Sequence, residues 1–146
     1  MPSVRGCNLP DDLLYDVDNH IWFSEVGDGN VKIGMTAVAT AMSGKLVAFT
    51  PKRVGRSVRA GKSCGTLESG KWVGPAKSAA GGEVVEVNDA MVNEPSIAND
   101  DPYEAGWLLV LKPDDWDSVK GTLVAGADVT TPYEAKMDAE GFGGCA

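Results

Sequence analysis

Histidine and cysteine are scarce in this chain, which has one histidine, His20, and three cysteines, Cys7, Cys64 and Cys145. No CxxC or HxxxH spacing occurs, so a zinc site has almost no ligands to draw on and no metal is expected. Three cysteines at irregular spacing do not make a disulfide framework. Cys7 and Cys145, near the two ends, are expected as free thiols, because nothing in their spacing favours a bridge. Cys64 is expected as a small core residue. A Ser/His/Asp triad would depend on His20, in a Trp-flanked, strand-like context, and a structural or surface role is expected instead. With no convergent acid/base set, a stand-alone enzyme is not expected. Apolar runs reach only a few residues, where about 20 are needed to span a bilayer. Residues 1–6 lack the apolar core of a secretory signal. No membrane association is expected, and the cytoplasm is the expected location. Basic residues are also in deficit. Thirteen Lys and Arg face twenty-one Asp and Glu, a net charge of −8, so nucleic acid is not an expected partner.

What is present suits one domain over residues 1–146, with a core from about residue 15 to 125. Eighteen glycines and eight prolines imply many turns and short strands. Phe23 to Met35 reads as a hairpin around Gly27-Asp28-Gly29-Asn30. Thr36 to Met42 reads as a short helix capped by Thr36 and ended near Ser43-Gly44. Leu46 to Phe49 is a strand stopped by Pro51. Glu83 to Asn88 alternates as a strand does. Met91 to Ile97 suits a helical turn. Trp107 to Leu111 is a continuous apolar strand, buried on both faces. Asp114 to Leu123 reads as a helix, with Trp116, Val119 and Leu123 on one face. The pattern weakens after Gly126, and Gly141 to Ala146 reads as a flexible tail. The sum is an all-β core, a sandwich or flattened barrel, with short helices at its edges.

Charge is uneven. Six of the thirteen basic residues (Lys45, Lys52, Arg53, Arg56, Arg59 and Lys62) lie within residues 45–62. A solvated face is the ordinary reading, and the sequence alone does not assert a docking patch. Gly61-Lys62-Ser63 suggests a phosphate loop, but that motif needs a glycine where Arg56 stands.

Lys71 has a more unusual setting. Glu68-Ser69-Gly70-Lys71 follows a glycine-punctuated strand region, and Gly82-Glu83-Val84-Val85-Glu86-Val87-Asn88 lies shortly after. Strands flanking a tight turn would push one amine into solvent on a rigid stalk, as a modifying ligase requires. Four further motifs occur with it in order. They are His20-Ile21-Trp22, the stretch Gly29 to Thr36, the strand Gly82 to Asn88, and the stretch Asn99 to Leu108. Together these resemble the glycine cleavage system H protein family, over roughly His20 to Asp117. The resemblance implies a mainly β barrel-sandwich hybrid, the lipoyl/biotinyl carrier fold, with short peripheral helices. It implies lipoic acid joined by an amide to Lys71, with Glu68, Ser69 and Gly70 completing the attachment motif. Glu68 is a candidate for recognition by the ligase or a plain turn carboxylate. The implied partners are a lipoate-protein ligase or other attachment enzyme, and dihydrolipoamide dehydrogenase. The chemistry would belong to the cofactor and the catalysis to partner enzymes.

Three positions depart from the family pattern. Ile21 replaces the glutamate of His-Glu-Trp, Pro75 stands where an aspartate is common, and the usual Thr-Asp-x-Ala helix start reads Thr36-Ala37-Val38-Ala39. Apolar groups beside the arm disfavour a charged amine cargo. The form Glu68 to Pro75 is similar to the H-like lipoate-binding proteins that accompany a heterodisulfide-reductase-like sulfur-oxidising complex. The resemblance therefore implies a carrier of a sulfur-bound intermediate and electrons, with that complex as partner. The alternatives are a glycine cleavage H protein carrying an aminomethyl group and an unmodified scaffold that kept the fold. Cys7 and Cys145 are possible redox partners of the dithiolane only within this resemblance.

Overall fold

The computed structural model describes residues 3–145. In chain order the strands and helices are β1 (Ser3–Val4), β2 (Cys7–Asn8), β3 (Leu14–Asp16), β4 (Ile21–Glu25), β5 (Val31–Met35), α1 (Ala37–Ser43), β6 (Leu46–Pro51), β7 (Ser57–Val58), β8 (Lys62–Ser69), β9 (Val73–Ser78), β10 (Gly82–Val87), α2 (Asp89–Asn93), α3 (Ile97–Asp100), β11 (Leu109–Pro113), α4 (Trp116–Lys120), β12 (Val124–Ala125) and α5 (Thr130–Glu140). The architecture is mainly β with short helices, as the resemblance implies. A seven-stranded sheet runs β12-β3-β4-β5-β11-β10-β7, and a three-stranded sheet runs β6-β8-β9. All their pairings are antiparallel.

Strand alternation builds two cores. Side chains of successive strand residues point to opposite faces. Ile21 and Phe23 of β4 enter the main core with Ile33, Leu46, Phe49, Leu67, Val84 and Leu111, which joins the two large sheets. Trp22, between them, enters a second cluster with Tyr15, Val38, Tyr133 and Met137. Trp22 pairs across the sheet with Gly34. A Cβ at Gly34 would come 2.3 Å from the indole, so only glycine lets that ring lie flat on β5.

Local signals behave as their chemistry requires. The β4–β5 hairpin forms around Gly27–Gly29. In α1 the Ala39 N–H donates to Thr36 Oγ1 at 3.3 Å, and Gly44 follows with φ +77°, a conformation cheap only for glycine. In α4 the Ser118 N–H donates to Asp115 Oδ1, and Trp116, Val119 and Leu123 pack on the main core. That helix is shorter than the pattern predicts, because beyond Gly121 the turn tightens, with Thr122 N–H donating to Val119 O and Leu123 N–H to Lys120 O. Cys64 is fully buried in β8, where burial pushes its thiol up to about 12.

The C-terminal region differs from expectation. Residues after Gly126 fold into α5, and the segment read as a flexible tail is fastened as far as Cys145. Phe142 N–H donates to Met137 O at 2.9 Å, and Cys145 N–H to Arg5 O at 2.9 Å. Cys7 and Cys145, expected as free thiols, form a disulfide with Cα atoms 4.9 Å apart. The β1–β2 hairpin and α5 bring the two sulfurs together from opposite ends of the chain. The packed core therefore reaches beyond residues 15–125, with Val4, Leu9, Tyr133 and Met137 buried. Ala146 lies outside the described residues.

Candidate functional site

Lys71 sits in the turn joining β8 to β9. Glu68 pairs with Val73, and Ser69 N–H donates to Trp72 O at 2.7 Å, so Gly70 and Lys71 form the tip. Ser69 is buried, and its Oγ accepts from Lys71 N–H at 3.3 Å. The serine thus fixes the backbone that carries the lysine. Glu68 is exposed on the outer face. Space at Gly70 is open, so nothing packed nearby demands glycine there. Lys71 itself is exposed. The structure places Glu68, Ser69, Gly70 and Lys71 together at this tip.

Beside that tip lies a cleft of about 500 Å³. Its wall and floor are mostly apolar, with Ile21 from β4, Met35 from β5, Ala39 and Met42 from α1, Leu67 from β8, and Pro75 and Ala76 from β9. The Lys71 stem crosses Gly44, where a Cβ would come 3.2 Å from Lys71 Cε. Trp72 lies at the rim, 39% exposed. Its ring passes over Gly74, whose Cβ would come 2.3 Å from it. Ile21 and Pro75, two of the departures seen in the sequence, line this cleft. Ala37, the third, instead faces the disulfide, with its carbonyl 3.7 Å from Cys145 Sγ.

The far end of the cleft is polar, with Asn19, His20 and Glu140. His20 was read as strand-like, but it lies in the turn before β4 with φ +57°. Its Nε2 is 3.0 Å from Glu140 Oε1 and its Nδ1 is 2.8 Å from Tyr133 Oη. Tyr133 Oη is in turn 2.7 Å from Thr36 Oγ1. Burial lowers the His20 pKa, against the opposing effect of the hydrogen bond that Glu140 accepts from it. The ring is therefore neutral near pH 7. An ionised Glu140 only accepts, which assigns the proton to Nε2. Tyr133 then donates to Nδ1 and accepts from the Thr36 hydroxyl. Burial raises the Glu140 pKa, but hydrogen bonds from Lys136 at 3.0 Å and His20 outweigh it, so the net shift is downward. Sequence reasoning missed Glu140, Tyr133 and Lys136. They reach the site from α5, with 120 residues separating His20 from Glu140. The helical spacings Tyr133/Met137 and Lys136/Glu140 were the available signal.

A rigid stalk with an exposed amine, beside an apolar cleft with one polar end, suits an acylated arm that swings out and folds back. No group of three His, Cys, Asp or Glu among the described residues is arranged to hold a metal. No helix among them is long and apolar enough to cross a membrane.

Comparison with known proteins agrees with this geometry. The sequence profile described as "Glycine cleavage H-protein" matches residues 13–136. The chain is 50% identical over 128 residues to glycine cleavage system H protein 5 of Aquifex aeolicus, covering 85% of this chain and 86% of the relative. It is 38% identical over 138 residues to H protein 2 of the same organism, covering 94% and 86%. A crystal structure of a glycine cleavage system H protein from Mycobacterium marinum superposes with a TM-score of 0.73 at 35% identity, covering 91% of this chain and 99% of that one. The chain belongs to the glycine cleavage H-protein family, whose members carry lipoic acid on a lysine and have no catalytic activity of their own.

Proposed function

We propose that Lys71 is the lipoyl attachment site and that the chain is a carrier in heterodisulfide-reductase-like sulfur oxidation, moving a sulfur-bound intermediate and electrons between partner enzymes. The observation that carries the attachment site is Lys71 at the tip of the β8–β9 turn, its stem laid over Gly44 at the mouth of the apolar cleft. A lipoyl group on that lysine supplies a dithiolane that accepts two electrons and opens to two thiols. Ser69 and the turn hold the amine outward for a lipoate-protein ligase, and Glu68 stands beside it as a recognition acid. The cleft wall receives the returning arm and excludes water from it. Dihydrolipoamide dehydrogenase is the partner for reoxidation.

One observation supports the finer assignment. Ile21 and Pro75 place hydrocarbon in the cleft where a charged amine would need a polar partner. A second reading, aminomethyl transport between glycine decarboxylase and aminomethyltransferase, is favoured by Glu140, which puts one carboxylate in the cleft. Lipoylated protein incubated with glycine decarboxylase and labelled glycine separates the two. The sulfur-oxidation reading expects little label on the carrier. Efficient loading would overturn it in favour of glycine cleavage.

A further inference from the structure

The sequence run of basic residues is divided by the fold. Lys45 immediately precedes β6, whose Leu46 pairs with Ser69, so it lies at the lysine-turn end. Lys52, Arg53, Arg56, Arg59 and Lys62 lie at the opposite end, where Lys77 joins them because Ser63 pairs with Lys77. All six are exposed. Among the described residues, none of the six is in an ion pair. Glu83, opposite Ser57 and Lys112, and Asp114, whose N–H donates to Gly81 O, lie on the same edge, and neither acid is in an ion pair among the described residues. Counting Lys112, Glu83 and Asp114 with these six, the edge carries +5 and the rest of the chain −13. The molecule is thus an acidic body with one strongly basic pole.

That pole is built rigidly. Lys52 N–H donates to Cys64 O at 2.9 Å, Gly55 N–H to Val84 O at 2.8 Å, and Val84 N–H to Arg56 O at 2.9 Å. Gly61 N–H donates to Ser78 O at 2.7 Å. The loop is tied to β8, β9 and β10, so its cations lose little backbone freedom when they meet a partner. Val54 stands among them 60% exposed, an apolar contact at the centre of the charge. Strand β8 separates the pole from the lysine turn by seven residue steps, roughly 23 Å.

We propose that this pole is a docking surface for an acidic protein surface, one that holds the carrier while leaving the Lys71 end free. Nucleic acid is disfavoured as occupant, because a −13 body is repelled by a polyanion that extends beyond the pole. The proposal goes beyond the carrier reading and is tested first without the cofactor. Unmodified full-length chain is passed over an immobilised peptide of six glutamates, short enough to lie on the pole alone, across a salt series. Arg56→Glu/Arg59→Glu and the neutral Arg56→Gln/Arg59→Gln are compared with Lys45→Glu/Lys120→Glu, which makes the same charge change as the first double variant but elsewhere. Wild type is expected to be retained at low salt and released as salt rises. Both pole variants should bind about tenfold or more weakly, and the control within about twofold of wild type. Equal loss in control and pole variants would overturn the proposal, as would preferential retention on duplex DNA or phosphatidylserine vesicles. Lipoate transfer to Lys71 by a lipoate ligase should stay within about twofold in the pole variants, because the ligase works at the other end. A tenfold loss there would overturn the separation of the two ends.

Discussion

Each residue of the cleft has a separable consequence. Lys71→Arg keeps the charge but removes the acylable amine. It is expected to abolish lipoylation while changing stability by less than about 0.5 kcal/mol, since the side chain is exposed. Intact mass and thermal denaturation check the two halves. Ile21→Glu returns a carboxylate to a position only 2% exposed. It is expected to cost about 1–3 kcal/mol and to raise glycine-driven loading of the lipoylated arm, measured with labelled glycine. His20 gives a pH signature. Burial holds its folded-state pKa below the ordinary value, so the unfolded chain binds more protons between the two values. Stability therefore falls as pH drops below about 6.5. In His20→Gln that part of the slope should vanish from a series of melting curves.

The elements differ in how plainly their residues announce them. The β4–β5 hairpin and α1 were legible because turn and cap chemistry is local: Gly27 to Asn30 make the turn, and Thr36 caps its own helix. The turn that carries Lys71 was legible because Glu68-Ser69-Gly70-Lys71 is contiguous in the sequence. Helix α5 was not, because it buries only Tyr133 and Met137, too narrow a stripe to read, and Pro132 stands near its start. The polar end of the cleft was illegible for the same reason, since Glu140 and Tyr133 arrive on that helix. The disulfide was illegible because its partners are 138 residues apart. This bridge has the largest consequence at the scale of elements. Closing so long a loop stabilises by up to about 5 kcal/mol through the unfolded state. It also holds the end of α5 beside Arg5, whose guanidinium pairs with Asp138 at 2.7 Å. Cys7→Ser/Cys145→Ser is expected to lower the melting temperature and to loosen α5 first, seen as faster amide exchange at residues 133–140 than in the β8–β9 hairpin.

At the scale of the whole molecule, the scarcity of catalytic residues fits a protein whose partners do the chemistry. The fold divides the work. The three-stranded sheet presents Lys71 at one end and the basic pole at the other, while α1 and α5 bound the cleft and fix its polar end. A lipoyl amide on Lys71 would remove one positive charge, taking the net charge from −8 to about −9 and sharpening the contrast between body and pole. The carrier function rests on Lys71 being the modified residue. Intact-mass spectrometry of protein purified from its native host, followed by peptide mapping, tests that most directly. The account expects one lipoyl adduct per chain, located on Lys71. An unmodified chain, or an adduct on any other lysine, would contradict it.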